Sequence, residues 1–231
     1  FPATPKPFRP QLFEAVGLWA RGRRRGRAWA PHLGQTRALL VEAADALPSR
    51  RTVAILGSGP LFDVPLAALA QRFERVLLID QAHLVTAAGQ VRRCRNAERQ
   101  WRDLSAATNP RHLEFLGDIA GLDWVVSLNL LSQLGLAAPE GDERAVMAAH
   151  LAGLAQLPCP ASLVTDIEYR VLGRDGTEAE RFDQMHGLAM PPADRHWSWE
   201  VAPFGEAAAH TNRIHHVAAW LDWRKSATGP Q

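Results

Sequence analysis

Several short apolar stretches of this chain end in residues suited to holding a small, polar, charged ligand. The segment Gly57-Ser58-Gly59-Pro60-Leu61-Phe62-Asp63 follows R-T-V-A-I-L at 51–56. Glycines let a backbone approach a ligand closely and present amide donors without obstruction. Pro65 is tolerated only in the first turn of a helix, so the next helix is expected to begin near Asp63, with Asp63 as its cap. Asp80 closes R-V-L-L-I, where a carboxylate can accept both hydroxyls of a ribose; the alternative is a helix cap. Gly117-Asp118 closes H-L-E-F-L, so Asp118 could accept a hydrogen bond from an adenine amino group while Ile119 packs on the ring. There the alternative is a plain turn.

Further candidates lie on the substrate side. Asp166 ends A-S-L-V-T, and strand alternation puts Glu168 on the same side. The pair could bind a cationic substrate, act as a base, or hold a metal with Asn129; alternatively it pairs with Arg170 or Arg174. Trp29, His32 and Thr36 recur at helical spacing, and His32 could deprotonate an acceptor near neutral pH or simply pack. Five of the nine histidines lie beyond residue 185, at spacings that match no metal motif. His215 and His216 point to opposite faces of a strand and cannot share one ion, so no metal site is expected.

These residues need a scaffold, and the apolar pattern supplies one. Runs at 51–56, 75–79, 112–116, 122–128 and 161–165 are short and continuously apolar, as in strands of a parallel sheet buried on both faces. Helical patterns over 63–71, 81–95 and 142–157 separate most of them, which predicts a doubly wound α/β sheet. Two final strands, 196–201 and 213–223, have no helix between them and should pair antiparallel. Trp197, Trp199, Trp220 and Trp223 fall on this hairpin as cross-strand packing. Ahead of the sheet, four prolines make residues 1–10 an irregular arm. Helices are expected at 11–20 and 35–47, with the glycine-interrupted arginine run 21–27 between them. The resulting division is an N-terminal arm and helical lid at 1–48 and a ligand-binding domain at 49–231.

Composition narrows the class. The chain has 231 residues, 47% hydrophobic and 22% charged, with a formal net charge of +2, values of a globular protein with little overall pull on a polyanion. Its lysines are Lys6 and Lys225 alone against a large excess of arginine, which together with abundant Ala, Gly and Pro points to genomic base composition. Cys94 and Cys159 form no C-x-x-C pair, and no apolar stretch is long enough to span a bilayer. A cytoplasmic protein without membrane or nucleic-acid partners is expected.

The strings V-A-I-L-G-S-G-P-L, L-L-I-D-Q and F-L-G-D-I resemble the first three motifs of class I S-adenosylmethionine-dependent methyltransferases, in order and spacing, over roughly residues 50–223. Five parallel strands closed by an antiparallel pair make the seven-stranded sheet of that family. The resemblance implies S-adenosylmethionine as cofactor and S-adenosylhomocysteine as product. It sets Gly57 and Gly59 beside the methionine portion, Asp80 on the ribose and Asp118 on the adenine with Ile119 packing on the ring, and counts Ser58, Pro60, Asp63 and Gln81 among the cofactor-binding residues. Asn129, in S-L-N-L-L, matches a fourth-strand position near the transferred methyl. Catalysis would then involve Asn129, His32 and Asp166 acting on a small-molecule acceptor. Two departures stand out: Ile55 replaces an acidic residue two positions before the first glycine, and Leu61 replaces a third glycine. Asp63 is a candidate substitute for the missing carboxylate.

The loop Gly57-Ser58-Gly59-Pro60-Leu61 also resembles that of nicotianamine synthases, which transfer the aminobutyrate arm of the same cofactor. An RNA methyltransferase using the 21–27 run, and a non-catalytic scaffold, complete the alternatives. A nicotinamide-dependent dehydrogenase fits poorly, because its fingerprint wants glycine where Phe62 stands.

Overall fold

The computed structural model describes residues 4–105, 107, 109 and 111–227. Its N-terminal helices are α1 (Gln11–Arg24) and α2 (Gly26–Asp45). The sheet region follows as β1 (Thr52–Leu56), α3 (Leu66–Arg72), β2 (Arg75–Asp80), α4 (Val85–Arg93), β3 (Ala97–Trp101) and β4 (Leu122–Leu128). Next come α5 (Leu131–Leu136), α6 (Glu143–Ala155), β5 (Ala161–Gly173), β6 (Glu178–Asp183), β7 (Arg195–Ala202), β8 (Thr211–Trp220) and α7 (Trp223–Ala227).

Strand order is β3-β2-β1-β4-β5-β8-β7, parallel from β3 through β5 and antiparallel at β8 and β7. The outer edge of β5 is shared, since β4 pairs with its first residues and β6 with its later ones. Alternation explains the unbroken apolar runs. In β1, Val53 and Ile55 pack against α2 and α3, while Ala54 and Leu56 face the opposite layer with Leu151 and Leu154 of α6. Two-sided burial favours apolar residues in such a strand, and a polar one is kept where it finds a partner, as Thr52 Oγ1 does in the Ala120 carbonyl at 3.2 Å. The doubly wound sheet with its antiparallel closing pair is thus as the sequence implied, with eight strands rather than seven.

The third strand lies elsewhere than expected. Residues 112–116 run through a turn into a 3-10 helix, Glu114–Asp118, because Leu113 and Leu116 recur three apart and bury together. Leu113 closes directly on Gly153 of α6, where an added Cβ would stand 3.0 Å away. The actual β3, A-E-R-Q-W, is a partly exposed edge strand with no apolar run, held by a bidentate Arg75–Glu98 pair at 2.9 and 2.8 Å. β6 was likewise hidden in the polar string E-A-E-R-F-D.

The N-terminal region is more helical than the glycines suggested. Within the expected arm, Lys6–Phe8 forms a 3-10 turn; residues 1–3 lie outside the described residues. The arginine run extends α1 to Arg24 and opens α2 after a break at Arg25. Gly22 serves contact here: a Cβ on it would meet the Phe62 ring at 2.3 Å and Trp29 at 3.0 Å. Glu206 gathers the run, pairing with Arg21 at 3.9 Å, Arg24 at 3.1 Å and Arg25. Helix α2 packs on β7, with Trp29 Nε1 donating to the Val201 carbonyl at 3.1 Å, and contributes Leu39, Leu40, Ala43 and Ala44 to the core. No helix among the described residues is long and apolar enough to cross a membrane.

Candidate functional site

A cavity of about 460 Å³ opens at the carboxyl ends of β1, β2, β4 and β5, beneath α1 and α2. β1 and β4 are neighbours from which the strand order runs in opposite directions, the crevice where open α/β sheets bind ligands. Gly57 turns the chain there at φ +77, and an added Cβ would stand 2.7 Å from the Leu128 carbonyl oxygen, so only glycine fits. Gly59 continues in the left-handed region at φ +48. Leu61 adopts φ 63, so the residue standing where the resembled family has its third glycine keeps a glycine-like backbone. Such strain in a non-glycine residue costs of order 1–3 kcal/mol and gathers at ligand sites. Asn129 shares it at φ 48.

Asp80 ties the loop to β2. One carboxylate oxygen accepts from Gly59 N at 2.8 Å and the other from Ala82 N at 3.0 Å. Burial nonetheless raises its pKa, against those amides and nearby His83. Each oxygen keeps lone-pair capacity facing the cavity. Gln81 lines the wall and donates to Asp103 at 2.6 Å.

Asp63 is not the helix cap. Pro65 precedes α3 directly and makes no side-chain cap bond, while Asp63 turns into the cavity to accept from Asn129 Nδ2 at 2.7 Å. Burial pushes its carboxyl up to about 6. Asn129 Oδ1 is buried without a hydrogen-bond partner. Ile55 is fully buried in the sheet and does not reach the cavity, whereas the Asp63 carboxylate does.

The expected site residues divide as follows. Gly57, Gly59, Pro60, Asp63, Asp80, Gln81, Asn129, Asp166 and His32 line one cavity. Ser58 is fully buried with its hydroxyl unpartnered and does not reach the wall. Asp118 is exposed and Ile119 packs into the core beside the 3-10 helix; neither lines the cavity, because the strand assumed to end there is absent. In their place the loop after β3 brings Leu104 and Ser105 to the wall, with Asp103 beside them. No sequence signal marks R-D-L, because the strand before it is a polar edge strand.

The substrate side differs most. A bulge at Ile167 leaves Asp166 opposite Val217 and Glu168 opposite His216, so the two carboxylates face opposite sides of β5 despite the expected alternation. Glu168 pairs with Arg170 at 2.7 Å and Arg181 at 3.3 Å, an outer lattice that takes it away from Asn129. Asp166 is buried and accepts from Ser132 Oγ, Gln184 Nε2 at 2.9 Å and His215 Nδ1 at 2.6 Å. Burial works to raise its pKa, but the bonds from His215 and Ser132 prevail and hold it low. His32 accepts from Trp197 Nε1 at 2.9 Å and stacks on Trp199 with centroids 4.2 Å apart. Burial lowers its pKa to about 4. An indole N–H can only donate, so the neutral ring carries its proton on Nε2. His32 therefore offers the cavity a donor, contrary to its expected use as a base.

No family model matches the sequence, and no curated protein matches it. Solved structures resemble it in shape. The chain is similar to the DhpI–SAM–HEP complex at 15% identity and TM-score 0.42, over 89% of this chain and 97% of that one. It is similar to the N-methyltransferase NodS from Bradyrhizobium japonicum WM9, with S-adenosyl-L-homocysteine, at 14% and 0.40, over 80% and 85%. An rRNA methylase from Streptococcus thermophilus follows at 13% and 0.41, over 81% and 96%. By strand order and by its antiparallel closing pair, the chain has the class I methyltransferase fold.

Proposed function

We propose that this chain is an S-adenosylmethionine-dependent methyltransferase acting on a small-molecule acceptor. The observation that carries the reading is Asp80, whose two oxygens are fixed at the cavity wall by the Gly59 and Ala82 amides, with Gln81 N beside them, so that the remaining acceptor capacity is aimed where the hydroxyls of a ribose would lie. Three further features fit the same ligand. Gly57 holds the loop against the Leu128 carbonyl where no side chain could stand, Asn129 Oδ1 is an acceptor with no partner among the described residues, and Asp63 is a carboxyl at the cavity wall whose charge a ligand ammonium would stabilise. Adenine would lie against Leu104 and Ser105 rather than Asp118. The cavity volume is that of a site for a drug-sized ligand.

When bound, the cofactor supplies a methyl already activated on a sulfonium, so the protein's contribution is mainly positioning and exclusion of water. Trp29 and His32 of α2 line the same cavity as Asn129, and Asp166 would stand on the acceptor side. The arginine run gives little support to an RNA acceptor, since three of its side chains converge on Glu206.

The nucleoside product tests the reaction type. Incubation with S-adenosylmethionine and a mixed pool of small acceptors is expected to release S-adenosylhomocysteine. Methylthioadenosine instead would mean aminobutyrate transfer.

A further inference from the structure

We propose, resting on the methyl-transfer reading, that His215 is the base of the reaction, Asp166 its positioning residue, and the acceptor a neutral small molecule with a hydroxyl group. His215 stands on β8 beside the cavity and touches two residues of its wall: Asp166 by a 2.6 Å hydrogen bond and Trp199 edge to face, with centroids 5.9 Å apart. An ionised carboxylate can only accept, so the bond fixes a proton on His215 Nδ1 and leaves Nε2 with a bare lone pair. That Nε2 is buried and has no hydrogen-bond partner among the described residues. Asp166 is itself braced by Ser132 and Gln184, which prevents it from turning away.

His32 supplies the complement. It lies on the face of the same indole, and its Nε2, the atom that carries the proton, is also buried and unpartnered. Trp199 thus contacts a donor imidazole stacked on its face and an acceptor imidazole set at an angle to it on the neighbouring strand. A hydroxyl matches this pair, because its oxygen accepts one hydrogen bond while its hydrogen donates another. An ammonium has no acceptor for His32, and a carboxylate acceptor would bring a second negative charge to Asp166. His32 and Trp199 line the cavity whereas His215 lies behind them, so contact of an acceptor with His215 requires the indole to move.

The proton then passes from the hydroxyl to His215 Nε2, and the imidazolium formed is held by Asp166 through Nδ1. The freed oxygen lone pair forms the new O–CH3 bond as the C–S bond breaks with its electrons going to sulfur. Products are a methyl ether and a neutral thioether, and His215 returns the proton to solvent.

Long-range proton–nitrogen correlation on the labelled protein, without ligand, reads the tautomers directly. The expected result is Nδ1–H at His215 and Nε2–H at His32; Nε2–H at His215 overturns the proposal. The second arm uses the probes 4-methylphenol and 4-nitrophenol with S-adenosylmethionine. His215→Gln is expected to slow methylation of 4-methylphenol at least a hundredfold while slowing the more acidic 4-nitrophenol less than tenfold, because that probe needs little help to ionise. Equal losses on both phenols, or transfer to amines and to neither phenol, overturn it. Calorimetric binding of S-adenosylmethionine by the same samples separates the two failures: without binding the methyltransferase reading falls, whereas binding with the wrong tautomer removes only this assignment.

Discussion

Asp63→Asn is expected to stabilise the ligand-free protein and weaken its cofactor affinity, two changes of opposite sign. The Asp63 carboxyl is raised from 3.8 to about 6 in the folded chain, chiefly by burial. Between those values the folded state holds a proton that the unfolded state has released, so stability falls as pH rises from about 4 to 6 and stays reduced above. Two units correspond to at most about 3 kcal/mol. An asparagine in its place can still accept from Asn129 Nδ2 and carries no charge to bury. The variant should melt several degrees higher at pH 7.5, at about 2–4 °C per kcal/mol for a chain of this size. At pH 4 the gain should vanish. With the cofactor the sign reverses, since a charge-assisted hydrogen bond to its ammonium is lost, about 1.5–3 kcal/mol or roughly ten- to a hundredfold in Kd. Thermal melts at the two pH values and calorimetric titration decide the matter. A lower melting temperature at pH 7.5, or unchanged affinity, would refute the reasoning.

Asp80→Ala should weaken S-adenosylmethionine binding by about 3 kcal/mol or more, through two lost charge-assisted bonds, whereas exposed Asp118→Ala should change it by less than about 0.5 kcal/mol; equal losses would move the ribose site elsewhere. Gly57→Ala places a Cβ 2.7 Å from the Leu128 oxygen at φ +77, so denaturant unfolding should show a loss of about 1–3 kcal/mol or more together with loss of cofactor binding. His150 is buried between His112 and Ser127 and held at about 3 by burial, below its ordinary 6.5. The unfolded state takes up its proton first, so stability should fall as pH drops below 6.5, and His150→Gln should flatten that fall by about 1.4 kcal/mol per pH unit.

The buried strands are legible because two-sided burial writes itself as short runs dominated by apolar residues, as in V-A-I-L of β1 and W-V-V of β4. Their carboxyl ends carried Gly57, Asp80, Asn129 and Asp166 to one cavity. Edge strands leave no such mark: A-E-R-Q-W carries no apolar run, whereas H-L-E-F-L carries one and forms a turn and a 3-10 helix, so the sequence alone misplaces β3 and with it Asp118. A single-residue bulge at Ile167 reversed the side of Glu168, and no periodicity announces a bulge. The roles of His32 and His215 depend on partners 165 and 49 positions away, Trp197 and Asp166, and become visible only once β8 lies between β5 and β7.

Titration calorimetry of the purified protein with S-adenosylmethionine addresses the cofactor site as a whole. One molecule is expected to bind per chain, with Asp80→Ala abolishing most of the heat. Absence of both heat and thermal shift at millimolar ligand would contradict the reading of this cavity as an S-adenosylmethionine site.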